Sequence, residues 1–320
     1  MFVVFLLWWI NRPRGEPHLY TVDITTGMDA ESIGAVLKGE GLITSSLAFK
    51  YLSLFAGYSS KYKAGKHEIP GTLTMTEIAP ILTEKPIVPP DIRVTVIEGM
   101  NISEIASLLR EEVNVDSTEF VHVAKDSRVA RNLGVDNATC EGYLYPDTYY
   151  IRNGTAPVEI ITRMVSHFHQ NFTDSMKVRA ESIGMTVNEI VTLASIIETE
   201  VGKDEERPLV SSVFHRRLQR GLPLEANPTV QYALGVKRRL VKENLEVCSP
   251  YNTYIHRGLP PGPIANPGKK SLISALYPAE TNYLYFVANG NGGHVFSQSL
   301  DEHNKAVYHY KVMRKNSALH

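Results

Sequence analysis

Val22-Asp-Ile-Thr-Thr-Gly27-Met28 can be laid over Val94-Thr-Val-Ile-Glu-Gly99-Met100, and the match continues downstream of each copy. Alternating apolar residues run up to a glycine. A helical pattern then starts, with Ile33 and Leu37 in the first copy and Ile105 and Leu109 in the second. Each copy reads as strand, tight turn and amphipathic helix, and Asn101 stands where it would cap the second helix. Such a unit is too small to stand alone, so the copies belong to a larger core, either as a true repeat or as two unrelated strand-helix pairs of an α+β chain. Lys85-Pro-Ile-Val-Pro-Pro-Asp91 separates them, and its prolines forbid helix and favour an extended connector.

The chain opens with Met1-Phe-Val-Val-Phe-Leu-Leu-Trp-Trp-Ile10 and turns polar at Asn11-Arg12-Pro13-Arg14. Crossing about 30 Å of hydrocarbon takes roughly 20 helical residues. This run is too short, and it reads as the outer half of a single-pass anchor, with Trp8-Trp9 at the interface, or as a signal-like apolar region. A buried N-terminal strand is the alternative.

With 43% hydrophobic and 21% charged residues, the 320-residue chain can build one large or two modest cores. Its 33 Lys plus Arg against 34 Asp plus Glu leave a net charge of -1 and no basic surplus for a nucleic-acid partner. Cys140 and Cys248 fit neither a CxxC redox pair nor a four-ligand zinc site, which leaves a disulfide or two separate thiols.

Thr186-Val-Asn-Glu189 is a capping-box pattern opening a helix that runs Ile190-Val-Thr-Leu-Ala-Ser-Ile-Ile-Glu198-Thr-Glu200-Val201. Ile190, Ala194, Ile197 and Val201 form one apolar stripe, with Glu198 and Glu200 on its two borders and Thr192, Ser195 and Thr199 on the side expected to be wet. Desolvation at such a border raises a carboxyl pKa, and a protonated acid is what cleavage of a glycosidic bond needs. Long glutamates can equally snorkel to water, and periodicity does not choose between the two residues.

Two aromatic segments suit a saccharide groove. One is Glu141-Gly-Tyr143-Leu-Tyr145-Pro-Asp147-Thr-Tyr-Tyr150, and the other is Tyr251-Asn252-Thr-Tyr254 leading into Gly258-Leu-Pro-Pro-Gly-Pro-Ile264. Tyrosines offer flat apolar faces to sugar rings, and Asn and Thr offer donors and acceptors to hydroxyl and acetamido groups. Packing of hairpins and loops is the alternative use. No GxSxG elbow, HExxH, Walker loop or GxGxxG after a strand is present, and the histidines, including His167-x-His169, lack a full ligand set at metal-site spacing. Neither a metal nor a cofactor is expected. Gly290-Asn-Gly-Gly-His294 lies between two strand-like runs and reads as a hairpin turn.

The motifs Glu141-Gly-Tyr-Leu-Tyr-Pro-Asp-Thr-Tyr149, Leu193-Ala-Ser-Ile-Ile-Glu-Thr-Glu200, Val213-Phe-His-Arg-Arg-Leu218, Asn227-Pro-Thr-Val-Gln-Tyr232, Tyr251-Asn-Thr-Tyr254 and Gly258–Ile264 occur in this order. Asn266-Pro-Gly268, Tyr283-Leu-Tyr-Phe-Val287, Gly293-His-Val-Phe296 and His303-Asn304 extend the series. The chain resembles the endolytic murein transglycosylases, the YceG-like proteins, over nearly everything beyond residue 20.

That resemblance implies an α+β chain with a membrane anchor at 1–11, a LysM-like strand-helix region carrying the repeat at 18–135, and a mixed α+β catalytic domain at 136–320. It implies a lyase that breaks the β-1,4 bond between N-acetylmuramic acid and N-acetylglucosamine in nascent glycan strands. The product is a 1,6-anhydro end, and strand elongation stops. By position it makes Glu198 the catalytic residue, with Glu141, Tyr143, Tyr145, Asp147, Glu200, Asn227, Tyr251, Asn252 and Tyr254 contacting substrate. Some relatives carry Asp at the position of Asn227, which receives no acid role. The implied partners are peptidoglycan strands, the cytoplasmic membrane and peptidoglycan synthases, and the implied location is the outer side of the inner membrane. A glycan-binding scaffold without activity, and a two-carboxylate hydrolase using Glu198 with Glu141 or Asp147, remain as alternatives.

Overall fold

The computed structural model describes residues 8–86 and 91–317 and divides the chain into two compact units, Met1–Pro90 and Asp91–His320. The division falls at the proline-rich connector, so residues 91–135, which the repeat groups with the N-terminal region, lie in the second unit. Most of the apolar run expected as an anchor, residues 1–7, lies outside the described residues. Among the described residues no single helix is long and apolar enough to cross a membrane.

In the first unit β1 (Leu19–Ile24) pairs antiparallel with β2 (Gly65–Pro70), Val22 opposite His67. Helices α1 (Ala30–Gly39), α2 (Ser46–Phe55) and α3 (Met75–Ile81) complete it. Its core comprises Val22, Ile24, Ile33, Leu37, Phe49, Ile69 and Ile78, each at most 3% exposed. Burial of each of the larger side chains contributes about 1.5–3 kcal/mol.

The second unit begins in the same way. Strand β3 (Ile92–Thr95) leads through Gly99 into α4 (Ile102–Val113), as β1 leads through Gly27 into α1. Both glycines adopt left-handed backbone, φ 90° at Gly27 and 82° at Gly99, where a side chain would strain the turn. Asp29 then caps α1 by accepting from Ser32 N, and Asn101 caps α4 by accepting from Glu104 N. Beyond α4 come α5 (Ser117–Lys125) and α6 (Ser127–Asn132), and β4 (Thr148–Ile151) returns antiparallel to β3. The expected strand-turn-helix therefore forms twice, each time closed by a returning antiparallel strand.

The rest of this unit is largely helical: α7 (Pro157–Asn171), α8 (Asp174–Ser182), α9 (Val187–Glu200), α10 (Arg207–Gln219), α11 (Asn227–Leu234) and α12 (Lys269–Leu276). The hairpin of β5 (Tyr285–Ala288) and β6 (His294–Ser297) comes next, and α13 (Leu300–Ser317) ends it. The hairpin turn is held by Asn289 Oδ1, which accepts from Asn291 N at 2.8 Å and Gly293 N at 3.2 Å. Helix α9 is the centre, with every residue from Ile190 to Ile197 buried. The two cysteines are separate, Cys140 buried and Cys248 exposed, so no disulfide joins them.

Candidate active site

Helix α9 starts as its sequence dictates. Thr186 Oγ1 accepts from Glu189 N at 3.2 Å, and Glu189 Oε2 accepts from Thr186 N at 2.7 Å. The side expected to be wet is not wet along most of its length. Thr192 and Ser195 are 1% and 0% exposed and satisfy themselves, Thr192 by donating to Asn188 O and Ser195 by donating to Thr192 O at 2.7 Å while accepting from Ile264 N at 3.0 Å. Only Thr199, near the end of the helix, is exposed.

The two glutamates at that end meet different surroundings. Both oxygens of Glu198 are engaged: Oε1 accepts from Arg207 Nη1 and Oε2 from the backbone N–H of Gly268, each at 2.9 Å. Its side chain is 5% exposed and that of Arg207 8%. Arg207 also donates to Ser271 Oγ and to Asp204 Oδ1. Glu98 sits nearby, its carboxyl pushed upward first by burial and then by the Glu198 charge. Glu198 thus closes a polar joint between α9, α10 and the loop before α12.

Glu200 has no hydrogen-bond partner among the described residues. Burial alone pushes its carboxyl up to about 7. It opens on a cleft of about 500 Å³ lined also by Arg217, Glu225, Asn227, Tyr254, Tyr285 and His294. Tyr254 donates its hydroxyl to Asn227 Oδ1 at 2.9 Å, fixing a polar wall beside the carboxyl. Arg217 pairs with Glu225 and lies over the Tyr285 ring at 5.3 Å. Glu225 adopts a left-handed φ of 54° without being glycine, a strained conformation of the kind that gathers at functional sites. His294 Nδ1 lies 2.6 Å from Glu206 Oε2, which ties the hairpin wall to the start of α10.

A second cleft of about 640 Å³ adjoins the same helix ends, lined by Asn101, Lys125, Glu141, Thr199, Gln231 and Tyr232 among others. Neighbouring residues divide between the clefts, Thr199 and Pro228 on one side and Glu200 and Asn227 on the other. At the back of the second cleft Glu141 is 3% exposed. Its carboxyl accepts from Ile102 N, Tyr232 Oη and Asn266 Nδ2, and burial pushes it up to about 8.

Of the residues expected to contact substrate, the fold brings Glu200, Asn227 and Tyr254 into one cleft and Glu141 into the other. Several others it spends on packing. Tyr143 is 1% exposed, edge-on to Phe168, with its hydroxyl donating to Asn188 Oδ1. Tyr145, 7% exposed, packs against His167. Asn252 is fully buried and donates to the carbonyls of Leu245 and Val247. Tyr251 packs on Tyr232, and Asp147 lies 3.5 Å from His167, lining neither cleft. Glu198 lines neither cleft as well. Spacing and periodicity do not single out Arg217, Tyr285, His294 or His303, although each falls within one of the motifs shared with the YceG-like proteins. Asn266, likewise within one, fastens the turn after β3: its Oδ1 accepts from Leu144 N and its Nδ2 donates to Met100 O, both at 2.8 Å.

The model of the YceG-like family matches residues 22–309. A protein of Bacillus subtilis (strain 168) named endolytic murein transglycosylase is 33% identical over 310 residues, covering 92% of this chain and 85% of its own. One of the same name from Streptococcus pneumoniae serotype 2 (strain D39 / NCTC 7466) is 30% identical over 318 residues, 90% of this chain, which spans 57% of that relative's length. A crystal structure of a YceG-like protein from Listeria monocytogenes superposes with a TM-score of 0.62 at 31% identity, covering 91% of this chain and 99% of that one.

Proposed function

The chain belongs to the YceG-like family, and on that premise we propose that it is a lytic transglycosylase cutting peptidoglycan strands endolytically, with Glu200 as its acid and base. The observation that carries the chemistry is the free, desolvated carboxyl of Glu200 facing a cleft that also offers Asn227, Tyr254 and Tyr285. Glu198, the residue that family position favours, has both oxygens already accepting hydrogen bonds and opens on neither cleft. Its carboxylate holds the end of α9 against Arg207 and Gly268.

Glu200, protonated, donates to the oxygen bridging N-acetylmuramic acid and N-acetylglucosamine as the C1–O bond breaks and an oxocarbenium-like state develops. The carboxylate left behind takes the proton from the C6 hydroxyl of the same muramic acid, whose oxygen closes on C1. The products are a 1,6-anhydro end and a free 4-hydroxyl. Glu200 finishes protonated, and water is not consumed. One carboxyl serves both steps, so the pair of free carboxyls at a fixed separation used by ordinary glycosidases is not needed. The second cleft is lined by Thr199 and Pro228, the chain neighbours of Glu200 and Asn227, which suits a substrate bound on both sides of the scissile bond.

We assign the apolar run at residues 1–10 to a single-pass anchor, with the second unit on the outer side of the cytoplasmic membrane. The strand-helix-helix-strand order of β1 to β2 supports a LysM-like, glycan-facing role for the first unit, and peptidoglycan synthases are the proposed neighbours.

Mass spectrometry of fragments released from purified sacculi tests the assignment. Glu200→Gln removes anhydro-ended products while the variant stays folded, and Glu198→Gln retains them at a reduced rate. A folded Glu198→Gln variant without activity beside an active Glu200→Gln variant would return the role to Glu198. Fragments heavier by one water point to hydrolysis, with Glu225 the second carboxyl in the cleft. Sacculi bound but uncut point to a scaffold.

A further inference from the structure

Helix α2 is apolar on two faces. Phe49 and Ser53 point into the core of the first unit at 0% exposure. On a wheel of 100° per residue, Leu47, Tyr51, Leu54 and Phe55 fall within about 100° of one another on the opposite side. They are 53%, 55%, 61% and 85% exposed. A helix on an aqueous surface carries polar residues on that side. This stripe borders an apolar groove of about 850 Å³ whose other wall is Trp8, Ile10 and Arg12. Trp8 and Ile10 belong, in the sequence, to the apolar run of residues 2–10.

The groove has a basic edge. The guanidinium groups of Arg12 and Arg14 lie over the Trp9 ring at 3.8 and 4.9 Å. The Nε of each is buried without an acceptor, and neither arginine has a carboxylate partner among the described residues. Apolar side chains flanked by Trp and Tyr, with cations lacking a carboxylate partner at their margin, match the layers of a bilayer surface in order: acyl chains, the carbonyl and glycerol zone, and phosphate.

We propose that α2 and the segment Trp8–Arg14 form one surface that lies in the interface of an anionic bilayer, with Leu54 and Phe55 in the acyl region and Arg12 and Arg14 on lipid phosphate. The surface rests on the anchoring proposed above only for bringing the unit to the membrane. It does a different job. A single span leaves the attached unit free to rotate, whereas a second contact on α2 fixes its orientation to the bilayer.

The test uses the full chain with Cys248→Ser, so that an environment-sensitive fluorophore attaches only at a cysteine introduced by Phe55→Cys. A control carries Glu68→Cys on the exposed side of the β1–β2 ladder. Vesicles of phosphatidylglycerol and phosphatidylethanolamine shift the probe at 55 to the blue and expose it to quenching by lipid-borne quenchers, and the probe at 68 does neither. Leu54→Ser in the chain labelled at 55 weakens the blue shift and the quenching, while vesicle binding through the anchor persists. Binding that leaves the probe at 55 in water overturns the surface and spares the anchor. Complete absence of vesicle binding overturns both. A probe at 55 already dry without lipid, in a sample that sediments as a dimer, overturns the bilayer in favour of a second copy. Binding equal on purely zwitterionic vesicles overturns the part assigned to the arginines.

Discussion

Arg207 holds Glu198 in an ion pair of 2.9 Å in which neither side chain is more than 8% exposed. Desolvating two charges is expensive, and the pair is supported by Ser271 and Asp204, which accept from Arg207, and by the N–H of Gly268, which donates to Glu198. Arg207→Met leaves Glu198 buried without its cation. We expect a loss of about 3–5 kcal/mol in urea unfolding. A loss below about 1 kcal/mol would show that the joint between α9 and α10 does not depend on this pair.

Two carboxyls are raised by burial, Glu200 to about 7 and Glu141 to about 8, from an ordinary value of 4.5. In the role proposed for it Glu200 acts protonated, so kcat/KM is expected to fall as pH rises through about 7. Both groups hold their protons more tightly folded than unfolded, so their linkage lowers stability as pH rises from about 4.5 to 8 and levels off above. The urea midpoint of the second unit should fall over that range, and fall less in Glu141→Gln. An unchanged slope in that variant would mean that Glu141 titrates near its ordinary value.

Asn266 is fully buried and serves Leu144 N, Met100 O and a Glu141 oxygen with one side chain. Asn266→Ala orphans Leu144 N, while Met100 O still accepts from the backbone N–H of residue 266 and the Glu141 oxygen from Ile102 N, at a cost of about 1–3 kcal/mol. Because these bonds fix the turn joining β3 to α4 and the segment 141–149, hydrogen exchange should quicken at the amides of Ile102 and Leu144 before the rest of the unit. Uniform exchange across the unit would contradict a local fastening role.

Burial pushes the Cys140 thiol up to about 12, whereas Cys248 is exposed. A thiol reagent at about pH 8 should titrate one cysteine in the native protein and both in denaturant. Native reaction of both would require α5 and the segment before Tyr143 to open readily.

Much of the local structure is legible in the residues. Gly27 with Asp29, and Gly99 with Asn101, mark a left-handed turn followed by a side-chain cap, and both form in place because the chemistry lies within a few residues. The same holds for Thr186 and Glu189 at the head of α9. The aromatic segments are less legible. Tyr143 and Tyr254 share a residue type and a motif-rich setting, yet one packs on Phe168 and the other faces the cleft, since composition carries no information about which neighbours arrive from elsewhere. Periodicity likewise misjudges Thr192 and Ser195, because hydroxyls that bond their own helix can be buried at little cost.

That a helix ends in two glutamates at the margins of an apolar stripe is written in the order of its residues, because capping and periodicity are local. Which glutamate is left free is not, and depends on how distant segments pack. The groups that occupy Glu198 come from 9 and 70 positions away, and those that surround Glu200 from α10, α11 and the β5–β6 hairpin. A carboxyl's proton affinity is set by the charges and the water around it, and those are assembled by long-range contacts.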